Sequence, residues 1–212
     1  MARPTNREIE IKLRVHDLAA LMNGLRRIGG ASKGRVFERN TIYDTPDSAF
    51  RRAGRLLRLR LQTPVPRSAT ATGTRLVRPR LRPRTAILTG KAPPHLGGRG
   101  SHRARYKERL ERELVLHNPT QFARAIISLG LCPSFIYEKF RSTFELPELH
   151  LDLDETPVGT FLELEGSPRA IEPAARALGF RPRDYFRGTY WDVYAADCRR
   201  RGRPVKNMVF PS

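Results

Sequence analysis

Alternation of apolar and ionisable residues, renewed in segment after segment, most constrains how this 212-residue chain can fold. Successive side chains of a β-strand point to opposite faces, so period-2 alternation marks a strand with one face of each kind. In Glu8–Val15 one face carries Glu8, Glu10, Lys12 and Arg14, and the other Ile9, Ile11, Leu13 and Val15. In Leu57–Leu61, Arg58 and Arg60 oppose leucines; in Arg109–Leu116, Arg109, Glu111 and Glu113 oppose Leu110, Leu114 and Leu116. Lys139 and Arg141 oppose Phe140 and Phe144 within Glu138–Leu146. Asp152 and Asp154 alternate with the leucines from Leu149 onward, and Glu163 and Glu165 with Leu162 and Leu164 in Thr160–Glu165. Phe37–Asp44 and Ala86–Lys91 are fainter, ending near Thr45-Pro46 and Ala92-Pro93-Pro94.

About eight strands follow from this pattern. Helices fit Asp17–Ile28, a stretch opened by Asn118-Pro119, Pro168–Leu178 with Gly179 at its end, and Tyr185–Arg201. The predicted class is α+β, in one domain over residues 1–212 with a basic, proline-rich insertion at 63–85.

Any one such strand could lie in a half-exposed sheet with its charges in water. Taken together the polar faces are unusual, because they are nearly pure Asp, Glu, Lys and Arg. If eight strands close into a barrel, one face of each must point inward. A dry interior of unpaired ions would cost several kcal/mol per ion. A wet interior that holds metal and a polyanion turns the same charges into a site.

The residues also resemble a known family. Glu8-Ile9-Glu10-Ile11-Lys12 is similar to the ExExK signature of CYTH proteins, the triphosphate tunnel metalloenzymes that include class IV adenylyl cyclases and thiamine triphosphatases. Further blocks follow in that family's order: Asn40–Pro46, Gly54–Arg60, Leu88–Lys91, Arg109–Glu113, Glu138–Arg141, Asp152 to Glu165, and Gly188-Thr189-Tyr190. Phe161–Gly166 and Asn207–Phe210 lean toward the members described as class IV adenylyl cyclase-like. The resemblance implies an eight-stranded antiparallel β-barrel with peripheral helices. Its basic residues would hold a triphosphate and its acidic residues Mg²⁺ or Mn²⁺. The long 63–85 segment departs from the family's short hairpin, and Gly90 stands where an aromatic is usual.

On this reading Lys12, Arg58, Arg60, Lys91, Lys139 and Arg141 are the catalytic and substrate-binding cations, with Arg109 also binding substrate. Arginine offers planar bidentate donors and lysine a compact point charge, and Arg58 and Arg60 stand about 7 Å apart along one strand face. Glu8, Glu10, Glu111, Glu113, Asp152, Glu163 and Glu165 are the expected metal ligands, since oxygen donors without His or Cys suit hard cations. None of the histidines is a persuasive general base. Positioning and charge neutralisation alone can drive phosphoryl chemistry. ATP, thiamine triphosphate and tripolyphosphate are the candidate substrates, for cyclisation or for hydrolysis.

Composition sets the remaining bounds. A formal net charge of +19 invites a polyanion, but setting aside the strand-face ions leaves most of the excess outside the proposed tunnel. The 63–85 segment holds six arginines, four prolines and no acid, and 92–105 adds three arginines and two histidines. Neither interleaves aromatics for base stacking, so a nucleic-acid or polyphosphate binding module is the alternative and not the favoured reading. No apolar run could span a bilayer, and Cys132 and Cys198 give neither a disulfide framework nor metal-ligand spacing. A cytoplasmic protein with no membrane partner is expected, as a monomer or a homodimer.

Overall fold

The computed structural model describes residues 6–65, 76–79, 82–94, 106–186 and 188–211, the side chains of residues 6 and 7 excepted. Most of the 63–85 insertion and of the 92–105 loop lies outside the described residues. The elements run β1 (Asn6–Val15), α1 (Leu18–Arg27), β2 (Ala31–Asp44), α2 (Ala49–Arg52), β3 (Leu56–Pro64), β4 (Thr85–Ala92) and β5 (Lys107–Val115). Then follow α3 (Pro119–Ser128), β6 (Cys132–Leu146), β7 (Leu149–Thr156), β8 (Gly159–Gly166), α4 (Pro168–Ala177), β9 (Tyr185–Phe186) and α5 (Tyr190–Arg200).

The sheet order is β5-β4-β3-β2-β6-β7-β8-β1, and β1 returns to pair with β5, so eight antiparallel strands close into a barrel. The strands expected from the alternation thus form the α+β tunnel that the family resemblance implied. β1 is shared between neighbours: Glu8 faces Arg109 on β5, while Lys12 faces Glu163 on β8. β9 adds two more pairs to β1 at Leu13 and Lys12. The sequence placed Tyr185 and Phe186 at the head of the last helix, and that is corrected. Backbone pairing with β1 claims them, and α5 begins only at Tyr190, where Thr189 and Asp192 form a capping box.

The apolar core lies outside the barrel. Ile11 and Leu13 of β1, Leu151 and Leu153 of β7, and Leu162 and Leu164 of β8 meet Leu21 and Leu25 of α1 and Ile171 and Ala175 of α4. These helices are started by local chemistry. Asp17 accepts from the Ala20 N–H at 2.9 Å, and Asn118 from the Gln121 N–H at 3.0 Å with Pro119 in the first turn. At Gly24 α1 packs close against the end of α4: a Cβ there would sit 2.9 Å from Leu178 Cδ2. Beyond the reach of β7, the chain's tail takes over the edge of β6. Met208 N–H donates to the Ile136 carbonyl and the Glu138 N–H to the Met208 carbonyl, both at 2.9 Å.

Candidate active site: the charged barrel interior

With leucines turned outward under the helices, the opposite parity of every strand points in. The result is a cavity of about 720 Å³ along the barrel. Lys12, Arg58, Arg60, Lys91, Arg109, Lys139 and Arg141 all line it, as do Glu8, Glu10, Glu111, Glu113, Asp152, Glu163 and Glu165. Burial is severe for such groups: Lys139 is 1% exposed and Lys12 3%. Charges at that depth persist only when partnered.

Most are. Lys91 Nζ stands 2.7 Å from both Glu8 oxygens and 3.2 Å from Glu111. Lys12 pairs with Glu163. Arg141 reaches Asp152, Asp154 and Glu163, each at 2.5 Å, and Lys139 donates to Asp154 at 2.7 Å. Burial resists ionisation of Glu163, but Lys12, Lys139 and Arg141 outweigh it and hold the carboxyl well below its ordinary range. Burial likewise opposes the Glu10 carboxylate, and Lys107 and Lys12 overcome it to hold the group at about 2.

Two places are left unbalanced. Among the described residues Arg58 and Arg60 have no carboxylate closer than 3.7 Å, and the Nε–H of each lacks a hydrogen-bond acceptor. Arg58 instead donates to neutral oxygens, Thr89 Oγ1 at 3.1 Å and Tyr137 Oη at 3.3 Å. Acid is in excess elsewhere. Burial, with Glu8 and Glu111 adding repulsion, pushes Glu165 up to about 7. Burial also raises Glu8, even against the attraction of Lys91. One corner thus holds its anions only at 3.7 to 3.9 Å, and in the other carboxylates outnumber the cation Lys91.

Some residues the sequence reading did not single out belong to this interior. Lys107 lines the cavity 2.5 Å from Glu10; burial lowers its pKa and Glu10 opposes that shift. It shares the parity of Arg109 and Glu111, so extending that strand's alternation back by two residues would have found it. Glu38, on a strand whose pattern was faint, is fully buried behind the cavity wall, 3.7 Å from Arg60 and 3.6 Å from Lys139. His150 faces in and lies 3.3 Å from Asp152, which raises its pKa by hydrogen bonding. Arg14 is corrected. It is exposed and lies over the Phe161 ring, outside the cavity lining.

The CYTH domain profile matches residues 6–176, a span that runs from β1 into α4 and holds every barrel strand. The chain belongs to the CYTH family. Solved structures share this fold at low identity. A Vibrio parahaemolyticus protein provisionally assigned as an adenylate cyclase superposes with a TM-score of 0.67 at 19% identity, covering 90% of this chain and 99% of that one. The PH1819 protein of Pyrococcus horikoshii gives 0.67 at 20% identity, with the same coverage. The Hippeastrum protein HpAC1, provisionally assigned as an adenylyl cyclase and described as having a dominant triphosphatase activity, gives 0.52 at 17% identity over 93% of this chain and 97% of its own. No curated protein matches the chain by sequence. Among the described residues no helix is long and apolar enough to cross a membrane.

CYTH members generally act on triphosphates, and the donor set here suits a hard divalent cation in kind, since all its candidate ligands are carboxylates. It is not a preassembled metal centre. Among the described residues no three acidic, histidine or cysteine side chains converge closely enough to hold an ion. Lysines and arginines keep the carboxylates apart.

Proposed function

We propose that this CYTH protein is a metal-dependent enzyme that cleaves a triphosphate compound inside its barrel. The observation that carries the reading is the Arg58–Arg60 pair: Arg58 buried and Arg60 partly so, neighbours on one strand face, each with an Nε–H that finds no acceptor. Phosphoryl oxygens supply those acceptors in the bidentate geometry guanidinium groups favour. Lys12, Lys91, Lys139 and Arg141 extend the cradle, and a polyanion would draw them partly off their carboxylates. The freed Glu8, Glu10, Glu163 and Glu165, with Asp152, Glu111 and Glu113 near them, are the residues that would hold Mg²⁺ or Mn²⁺. Such an ion supplies charge neutralisation of the phosphates. The cations of the chain orient the phosphorus in line with its attacker and screen the charge that develops.

A nucleic-acid binding groove would not interleave a carboxylate beside nearly every cation, as this interior does. The deciding assay offers purified protein tripolyphosphate, thiamine triphosphate and ATP with Mg²⁺ or Mn²⁺, following phosphate, pyrophosphate and cyclic AMP separately. Phosphate release identifies a hydrolase, and pyrophosphate with cyclic AMP a cyclase. No metal-dependent product from any of them overturns the enzyme reading.

A further inference from the structure

Two tyrosines stand side by side in the cavity wall, their ring centroids 5.6 Å apart, in opposite surroundings. Tyr190, at the head of α5, gives its proton to Asp154 at 2.6 Å. Burial and the charges of Asp154 and Glu163 hold that phenol well above its ordinary pKa. A buried hydroxyl usually finds such an acceptor. Tyr137 of β6 does not. Its Oη accepts from Arg58 at 3.3 Å, and among the described residues nothing accepts its proton.

The fold sets this hydroxyl among the phosphate-binding cations. Asn40 of β2 pairs with Arg60 on one side and with Tyr137 on the other, and Lys139 follows Tyr137 at the same parity. Phe135 stacks on the Tyr137 ring at 5.7 Å, and the tail bridges its backbone at Met208. Tyr137 is 6% exposed, so its ring is pinned with the hydroxyl beside Arg58. The groups that face it are Arg58 and Arg60 from β3, Lys139 from its own strand, neutral Asn40 from β2 and the Tyr190 phenol from α5. Burial resists ionisation of Tyr137, but Arg58, Lys139 and Arg60 outweigh it and lower the pKa from the ordinary tyrosine value. Neighbouring groups whose environments push their pKa values apart are how a site assigns proton-transfer roles. A phosphate oxygen held by Arg58 also lies within hydrogen-bond reach of the Tyr137 hydroxyl, since the two donors are 3.3 Å apart.

We propose that Tyr137 is the proton donor of the reaction, handing its phenolic proton to the leaving phosphate oxygen; this rests on the triphosphate reading of the barrel. The attacking oxygen forms its bond to phosphorus. The bridging P–O bond breaks with its electron pair left on the bridging oxygen, and the Tyr137 proton moves to that oxygen. The phenolate is held by Arg58 and is reprotonated through water by the proton that the attacking hydroxyl releases. The balance is the same whether the attacker is water or a hydroxyl of the substrate.

The test uses the whole protein with Mg²⁺ and either tripolyphosphate or ATP, following kcat and KM from neutral pH into the alkaline range. The donor acts only while protonated, so wild-type kcat should fall as pH rises through the Tyr137 pKa. Tyr137→Phe should lose about a hundredfold in kcat at neutral pH, keep KM within about threefold, and lose that alkaline step. Replacing Tyr137 by 3-fluorotyrosine, a more acidic phenol of nearly the same shape, should retain most of the activity and move the step to lower pH. Wild-type kcat in Tyr137→Phe, or a step that fluorine does not move, would overturn the proton donor and leave the triphosphate site standing. So would a raised KM at unchanged kcat, which marks a slackened Arg58. No turnover of either substrate by the wild type would overturn the triphosphate reading and the proton donor with it. Should Tyr137→Phe fail to fold, the position of the step in the fluorinated protein decides the matter.

Discussion

Along β1 the two faces of the barrel wall are about equally buried and chemically opposite. On β1, Ile11 and Leu13 are 0% exposed beneath α1 and α4, and Lys12, between them in sequence, is 3% exposed inside the tunnel. Burial alone does not tell core from site; the partners do. Outside, leucine meets leucine, and the area removed from water stabilises the fold by about 25 cal/mol per Å². Inside, the deeply buried ions such as Lys12 and Lys139 have lost most of their hydration and recover part of it from opposite charges, an arrangement that is often neutral for stability. The inner face is retained for what its charges can do together.

The largest effect is expected where the inner face behaves most like a core. Asp154 is fully buried and accepts from Lys139, Arg141 and Tyr190. Removing it in Asp154→Ala leaves two buried cations undercompensated, and the urea midpoint should report a loss of about 3–5 kcal/mol. A shift below about 1 kcal/mol would mean that the remaining carboxylates, Glu38 and Glu163, absorb the charge. On the outer face Leu164→Ala opens a cavity under α4 and should cost about 3 kcal/mol. Its kcat per folded molecule should stay at the wild-type value. A matching fall in kcat would break the separation between the two faces.

Smaller in free energy, and sharper in meaning, is a comparison within the inner face. Arg58→Ala and Arg60→Ala should each weaken triphosphate binding by about 1.5–3 kcal/mol, read as Kd or KM, and added metal should not restore it. Glu10→Gln and Glu163→Gln should lower kcat at least about tenfold, and excess Mn²⁺ should recover part of the loss. A metal titration of all four variants separates the roles. Full activity of the Glu variants at low metal would make these carboxylates salt-bridge partners only.

This division between faces was largely legible in the sequence, because parity in a strand is a strict geometric rule. Once the segments were called strands, Glu8, Lys12, Arg60, Glu113, Arg141 and Glu163 had to share a side. Closure of the sheet did not follow from alternation; it was expected from the family resemblance. Lys107 was missed because its strand appeared to begin at Arg109, and strand ends carry the weakest signal. Glu38 was missed because Asn40 and Ile42 share its face, so no run of charges marked it. Arg14 has the right parity, but it lies where β1 reaches the rim, paired with Phe161 beyond the last charged layer of β8. Which ions pair, and which are left short, depends on distances around the barrel that no single strand encodes.

The smallest effect tests whether the acidic corner is waiting for a cation. Burial and the nearby Glu8 and Glu111 hold the Glu165 carboxyl at about 7 in the folded protein, above the 4.5 of an unperturbed glutamate. Below pH 4.5 the group is protonated in both folded and unfolded chains and costs nothing. Between there and 7 the unfolded chain ionises while the folded one does not, so metal-free stability falls as pH rises through that window and then levels off. Glu165→Gln cannot ionise and escapes this loss. The variant should match the wild type in Tm at pH 4.5 and exceed it at pH 8. Glu165 is more than a third exposed, so water screens the penalty and the gap should stay within about 1 kcal/mol. Mn²⁺ should then close the gap by stabilising the wild type alone, because only it presents a full carboxylate to the ion. A gap independent of pH would show that Gln packs better at this position. A gap that opens with pH but ignores Mn²⁺ would remove Glu165 from the metal ligands and leave the corner as unrelieved repulsion.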